Sequence, residues 1–158
     1  MRAEGQAAPD FTLPDQNGDE VSLSDLRGQT IVLYFYPRAD TPGCTAQACG
    51  IRDHNADYEA AGAKVIGISP DSVEDVAKFA DKYGLDFTLL ADADHEVADA
   101  YGTWTEKRNY GKTYWGVQRA TFIIDPEGQI ARVFPKVSPQ THDEVVLEAL
   151  GELPAQST

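Results

Sequence analysis

Residues 31–49 read IVLYFYPRADTPGCTAQAC and carry the clearest structural pattern in the chain. Residues 31–36 are apolar or aromatic at every position, which predicts a central strand buried on both faces of a sheet. A helix is predicted from about Cys44 to about Ala61, with Gly62 just past its end. In open α/β sheets, functional groups lie outside the carboxyl ends of the strands, so Cys44 is expected where a reactive group belongs.

Strand and helix patterns alternate along the rest of the chain. Further strands are predicted at 64–69, 87–90, 121–124 and 129–134. Further helices are predicted at 73–83, at 95–101 and from Ser138-Pro139 onward. An N-terminal hairpin is predicted with strands at 11–13 and 21–23 on either side of Asn17-Gly18. Strands 31–36 and 64–69 are joined through a helix and should be parallel. Strands 121–124 and 129–134 should form a hairpin near the C-terminus, which adds antiparallel pairing. The expected fold is an α/β sandwich: a mixed central sheet with helices on both faces and an N-terminal β-hairpin. One domain is expected over residues 1–153, followed by a flexible tail at 154–158.

The charge and hydropathy of the chain disfavour several classes of partner and location. The 158 residues carry 26 acids against 13 bases, a formal charge of −13, so nucleic acid and anionic membranes are poor partners. The longest strictly apolar run, 31–36, is far short of the ~20 residues that span a bilayer. Residues 1–6 contain no apolar signal core. We therefore expect a cytoplasmic protein, in which two cysteines are more often chemical than structural.

The predicted position of Cys44 favours a reactive thiolate. In the first turn of a helix it faces unpaired backbone N–H groups and the positive end of the helix dipole. Both stabilise a thiolate over a thiol, and the thiolate is the nucleophilic form of cysteine.

The same stretch resembles a known family. Pro37, Thr41 and Cys44 match the Pro-x-x-x-Thr-x-x-Cys signature of peroxiredoxins. The run TPGCT with a second cysteine at Cys49 resembles the Q type, also called the bacterioferritin-comigratory-protein type, and so do residues 111–119. The resemblance extends over nearly the whole chain. It implies a thioredoxin-like fold and the activity of a thiol-dependent peroxidase.

The resemblance also implies roles for five residues. Cys44 would be the peroxidatic cysteine and Cys49 the resolving one. Thr41 would hydrogen-bond the peroxide through its hydroxyl, and Pro37 would shield the pocket from water. Arg119 would hold the thiolate and the peroxide, a task that suits its permanent charge and rigid fork of N–H groups.

The implied reaction needs no metal or organic cofactor. Cys44 would reduce hydrogen peroxide or an organic hydroperoxide and become a sulfenic acid, which condenses with Cys49 to a disulfide. Thioredoxin or a similar dithiol would then restore both thiols, and a monomer is the expected state. Gln47 stands where many members of the subgroup have Glu, a change that removes a negative charge and is expected to leave the core chemistry intact.

Two other functions use cysteines on a similar fold. A thioredoxin-type disulfide oxidoreductase would need Cys-x-x-Cys and a proline just before strand 121–124, where this chain has Arg119-Ala120. A peroxide sensor or holdase would signal through the same Cys44–Cys49 disulfide, so the sequence leaves it open as a second role.

A zinc site at Cys44, Cys49 and His54 is disfavoured. Helical steps of five residues turn by about 140°, so the three side chains point in different directions around the axis. His142 is expected to be solvated near the start of the last helix.

Residues 101–119 stand out within an acidic chain. Four bases face the single acid Glu106, and five aromatic residues lie among them. A solvated loop is the first expectation. The functional alternatives are a wall of the peroxide pocket or a docking surface for a reducing partner.

Overall fold

Nine strands and five α-helices are formed by residues 2–135, 138–139 and 141–152, which the computed structural model describes. The strands are β1 (Thr12–Pro14), β2 (Glu20–Ser22), β3 (Thr30–Phe35), β4 (Ala63–Ser69), β5 (Thr88–Ala91), β6 (Trp104–Asn109), β7 (Lys112–Val117), β8 (Ala120–Ile124) and β9 (Ile130–Phe134). The helices are α1 (Pro42–Asp53), α2 (Asn55–Ala60), α3 (Val73–Tyr83), α4 (Glu96–Tyr101) and α5 (His142–Glu152), and a short 3-10 helix spans Leu23–Leu26. The tail predicted at 154–158 lies outside the described residues.

Strand β3 occupies the centre of a five-stranded sheet with the order β5-β4-β3-β8-β9. β3 pairs in parallel with β4, and β4 with β5. β8 lies antiparallel to both β3 and β9, and β1 and β2 form a separate antiparallel hairpin. The predicted mixed sheet and N-terminal hairpin are confirmed.

Hydrophobic side chains of β3 fill the core on both faces of the sheet because successive residues of a strand point to opposite sides. Val32 and Tyr34 pack with residues of α1, α3 and α5, whereas Leu33 and Phe35 pack with residues of α4. The Tyr34 ring has room because its partner in β4 is Gly67. A Cβ atom at Gly67 would lie 2.7 Å from that ring.

Most element bounds follow the sequence prediction. α3 begins and ends where predicted: Ser72 Oγ accepts a hydrogen bond from the Asp75 N–H at 3.2 Å, and Gly84 takes the left-handed conformation with φ of 61°. The predicted strands are found with shifts of one residue at one or both ends. No helix among the described residues is long and apolar enough to cross a membrane.

Two helix predictions need correction. The helix predicted over 44–61 begins at Pro42 and is divided at His54, where ψ is 10°. The His54 N–H is shared between the Gly50 carbonyl at 3.0 Å and the Ile51 carbonyl at 3.2 Å, as is common at the end of a helix, and the His54 ring Nδ1 lies 2.9 Å from the Gly50 carbonyl. The last helix begins at His142 instead of Ser138-Pro139, because its first helical bond runs from the Val145 N–H to the Thr141 carbonyl.

The solvated loop expected within 101–119 is wrong for residues 104–117, which form the two-stranded hairpin β6–β7. Its turn consists of Tyr110 and Gly111, with φ of 52° and 77°. A two-residue turn with two positive φ values matches the twist of a hairpin and is usually signalled by Asn-Gly or Asp-Gly. Because tyrosine occupies the first of these positions, the sequence lacks the usual pattern for such a turn.

Candidate active site

Cys44 lies in the first turn of α1, just beyond the carboxyl end of the central strand β3. Thr41 is the extended N-cap residue and Pro42 the first helical residue, a place where the missing N–H of proline costs nothing. The Cys44 side chain is 1% exposed and its thiol is free. The sulfur is therefore buried beside the N-terminal end of α1, which is the positive end of the helix dipole.

The loop between β3 and α1 is held by contacts that the sequence analysis missed. The Ala39 N–H donates to Asp71 Oδ2 at 2.8 Å. Asp40 takes a left-handed φ of 60°, and its carboxylate accepts from the Tyr83 hydroxyl at 2.7 Å and from Lys82 Nζ at 2.9 Å. These two donors, Tyr83 first, lower the pKa of Asp40. An aspartate tolerates positive φ better than most residues, which is the only signal the sequence offers for this role.

Arg119 reaches Cys44 because of the antiparallel pairing of β3 and β8. The register places Ala120 opposite Phe35, so the residue before β8 lies beside the end of β3. Arg119 Nη2 donates a hydrogen bond to Cys44 Sγ at 3.2 Å. Arg119 Nη1 donates to Gln47 Oε1 at 2.5 Å. The guanidinium fork is thus shared between two residues of one face of α1.

Gln47 holds Arg119 without neutralising it. Its side chain is 1% exposed and lies one helical turn after Cys44. Because the amide carries no charge, the positive charge of Arg119 stays available to the sulfur and to a bound substrate. Gly43 leaves the space for this contact, since a Cβ atom there would lie 3.3 Å from Arg119 Nη2. No local sequence pattern predicts the contact of Gln47 with Arg119, because the two residues are 72 positions apart in the chain.

Thr41 and Pro37 lie in the loop that leads to Cys44. The Thr41 hydroxyl donates to the Arg38 carbonyl at 3.0 Å and makes no side-chain cap to the helix. Thr41 is therefore the N-cap residue of α1 by position and backbone conformation alone. Pro37 is half-buried at the start of the loop.

Cys49 is not brought together with Cys44. Both residues belong to α1, and both thiols are free. Cys49 is partly exposed, whereas Cys44 is buried. A step of five residues on a helix rises about 7.5 Å and turns by about 140°, which separates the Cα atoms by roughly 8–9 Å. That exceeds the ~7 Å limit for a disulfide without backbone movement.

Buried aromatic residues lie under the site. The rings of Tyr34 and Tyr36 stack at 5.4 Å, and burial raises the pKa of each. The predicted solvated position of His142 is wrong: its side chain is 1% exposed, and its Nε2 lies 2.9 Å from Thr121 Oγ1. Because α5 starts at His142 and packs on the sheet face that carries Tyr34, its first side chain enters the core.

The described residues form no group of three or more His, Cys, Asp or Glu side chains that could hold a metal ion. His54 bonds the Gly50 carbonyl.

Comparison with known proteins places this site in a family. The sequence model of the AhpC/TSA family matches residues 4–133. The chain is 49% identical over 148 residues to peroxiredoxin Bcp of Escherichia coli, a match that covers 94% of this chain and 95% of that protein.

Solved structures agree in fold. Peroxidoxin BcpB of Mycobacterium tuberculosis superposes with a TM-score of 0.87 at 36% identity, covering 98% of this chain and 100% of that one. The bacterioferritin comigratory protein of Xanthomonas campestris, from work on its alkyl peroxide reduction activity, gives a TM-score of 0.85 at 35% identity over 89% of this chain and 90% of that one. The thioredoxin-like α/β fold expected from the resemblance is confirmed.

Proposed function

The chain belongs to the AhpC/TSA family, and from this premise we propose that its Cys44 thiolate reduces hydrogen peroxide and organic hydroperoxides. The protein is a peroxiredoxin, a peroxidase of the thiol type. The observation that carries the assignment of Cys44 is the 3.2 Å hydrogen bond that its sulfur accepts from Arg119. A cation bonded to a buried sulfur stabilises the thiolate that the reaction requires.

The attack itself forms one bond and breaks one. The sulfur of Cys44 takes the terminal oxygen of the peroxide, the O–O bond breaks, and the other oxygen leaves with its electron pair. Negative charge moves from the sulfur to that leaving oxygen in the transition state. Arg119 already lies against the sulfur, so its fixed N–H donors are positioned to stabilise the charge as it moves.

Thr41 would orient the substrate as an acceptor. Its hydroxyl proton is engaged by the Arg38 carbonyl. A threonine hydroxyl has one donor and two acceptor positions, so the oxygen remains able to accept the O–H of a peroxide. Pro37 adds no N–H to the loop and would keep bulk water from the sulfur.

Recycling would pass through Cys49. The Cys44 sulfenic acid would condense with the Cys49 thiol to a disulfide and release water. Because both residues lie on the continuous helix α1, the first turns of α1 must unwind for the two sulfurs to meet. A dithiol reductant such as thioredoxin would then return both cysteines to thiols. We further propose that the enzyme acts as a monomer and in the cytoplasm, where such reductants are kept reduced.

A turnover assay tests the function. Peroxide consumption is measured with thioredoxin, its reductase and NADPH for the wild type and for Cys44→Ser. The wild type should turn over many times, and Cys44→Ser should show no turnover with any reductant. Retained turnover in Cys44→Ser would show that another group is the nucleophile. A single oxidation without turnover in the wild type would favour a peroxide sensor over a peroxidase.

A further inference from the structure

The two halves of α1 are held by contacts of different kinds. In the first half, Arg119 donates through its two Nη atoms to Cys44 Sγ and to Gln47 Oε1. The bond to the sulfur depends on the chemical state of Cys44, because a hydrogen bond to an ionised acceptor is roughly twice as strong as one to a neutral acceptor. Conversion of a thiolate to an uncharged sulfenic acid therefore weakens a contact that holds the first half of the helix.

The second half of α1 is held through side chains that take no part in the redox chemistry. Asp143 of α5 lies against Gly50, where a Cβ atom would be 2.5 Å from its Oδ2, and it accepts the Tyr58 hydroxyl of α2 at 2.5 Å. The Asp143 side chain is only 13% exposed. Arg52 Nη1 donates to the carbonyl of Tyr83, the last residue of α3, at 2.6 Å. This half of the helix is thus joined to α3 and α5 by contacts that peroxide leaves unchanged.

Cys49 lies at the boundary between the two halves. It directly precedes Gly50, so the contact with Asp143 begins one residue after it. Ala48 and Ile51, on either side, are 0% exposed and pack in the core. A disulfide needs two Cα atoms within ~7 Å, whereas five residues of intact helix separate them by roughly 8–9 Å. One of the two cysteines must therefore move, and Cys49 is the one beside the anchored half.

We propose that Asp143 is a positioning residue for the resolution step: it stops the unwinding of α1 after Cys49, so that Cys44 moves to a fixed Cys49. The inference rests on the proposed peroxidase function and its disulfide. In this step the Cys49 sulfur supplies an electron pair to the Cys44 sulfur, the S–S bond forms and the S–O bond breaks. The hydroxyl group leaves as water with the proton of the Cys49 thiol. Holding one partner in place favours this reaction over attack on a second peroxide, which would give a sulfinic acid.

The test separates the resolution step from the first oxidation. Reduced wild type, Asp143→Ala and Asp143→Asn are mixed with one equivalent of hydrogen peroxide, and the sulfenic acid and the disulfide are followed by acid quenching and mass spectrometry. Asparagine keeps an oxygen that can accept the Tyr58 hydroxyl, whereas alanine does not. Glu144→Gln removes an exposed charge from the same turn of α5 and controls for charge. Val97→Ala in α4, in the core on the opposite face of the sheet, controls for lost stability. Circular dichroism and thermal unfolding establish that each variant is folded.

The wild type and all variants should form the sulfenic acid at the same rate. Asp143→Ala should then form the disulfide about tenfold more slowly, because the two reacting groups lose their mutual orientation. Asp143→Asn should recover most of the wild-type rate, and both controls should match the wild type. Hydrogen exchange of the disulfide forms should find residues 50–60 protected in the wild type and unprotected in Asp143→Ala.

Three results would overturn the proposal. They are a wild-type disulfide form that loses protection at residues 50–60, an Asp143→Ala variant that forms the disulfide at the full rate, and equal slowing in Val97→Ala, which would trace the effect to stability alone. A wild type whose Cys44 does not react with peroxide, or forms no disulfide with Cys49, would instead refute the proposed function.

Discussion

A Cβ atom at Gly50 of α1 would lie 2.5 Å from Oδ2 of Asp143 in the first turn of α5, so a side chain at this position would displace the Asp143 carboxylate. Asp143 also accepts a hydrogen bond from the Tyr58 hydroxyl at 2.5 Å, and its Oδ2 lies 3.7 Å from His54 Nδ1. One carboxylate thus contacts the C-terminal half of α1 and the helix that follows. Cys44 lies in the other half, away from these contacts.

The first prediction concerns this close approach. Gly50→Ala should destabilise the protein by about 1–3 kcal/mol, the usual result of forcing extra volume into a packed contact. The matched control is Gly151→Ala in α5, where a new Cβ meets nothing within 4 Å. The control should stabilise the protein by roughly 0.5–1 kcal/mol, because alanine is the better helix former. Urea unfolding measures both, and a Gly50→Ala variant as stable as the wild type would contradict the contact.

The second prediction concerns Arg119. Arg119→Ala should slow the reaction of Cys44 with peroxide by at least about 10²-fold, the scale for losing one fixed transition-state donor. Arg119→Lys should react at an intermediate rate, because it keeps a charge but loses the fork that reaches both Cys44 and Gln47. Stopped-flow oxidation of the reduced proteins gives these rates. Unchanged kinetics in Arg119→Ala would remove Arg119 from the catalytic site.

A third prediction follows from the position of both cysteines on α1. Cys49→Ser should react once with peroxide, stop at the Cys44 sulfenic acid and then over-oxidise, while losing thioredoxin-linked turnover. In the wild type, the disulfide form should lose amide protection at residues 42–49. Residues of α3 should keep their protection, which serves as the internal control. Hydrogen exchange with mass spectrometry compares the two forms, and equal protection at 42–49 in a confirmed disulfide would exclude unwinding.

The fourth prediction is a pH dependence at His54. The Gly50 carbonyl first, and then three nearby carboxylates, raise the pKa of His54 above its ordinary value of 6.5. A group with a raised folded pKa contributes stability that is fully present below pH 6.5 and is lost as the pH rises through the folded value. The effect is modest, since the side chain is about half exposed.

The measurement compares unfolding free energies of the wild type and His54→Ala in urea at about pH 5.5 and about pH 8.5, on either side of the histidine titration. The difference between the two proteins should be larger at the lower pH. A difference that is constant or grows with pH would show that His54 carries no such interaction.

Local patterns in the sequence located most elements of the fold. The apolar run before Cys44 predicted the central strand, and the cap residues Ser72 and Gly84 predicted both ends of α3. These predictions succeed because burial on both faces and capping depend on residues close together in the chain. The hairpin β6–β7 was not predicted, because most of β7 is exposed and its turn contains Tyr110. The sequence therefore shows neither the alternation of a buried strand nor the usual turn residues there.

Local patterns in the sequence were enough to place a cysteine in the first turn of a helix after the central strand, with a second cysteine on the same helix. The residues that lie against Cys44 are set by the tertiary fold. Arg119 is 75 residues away and arrives through the antiparallel register of β3 and β8. His142, expected to be solvated, is buried and lies 2.9 Å from Thr121 of β8. Such contacts depend on strand register and helix packing, which fix distant residues in space and leave no periodic signal in the chain.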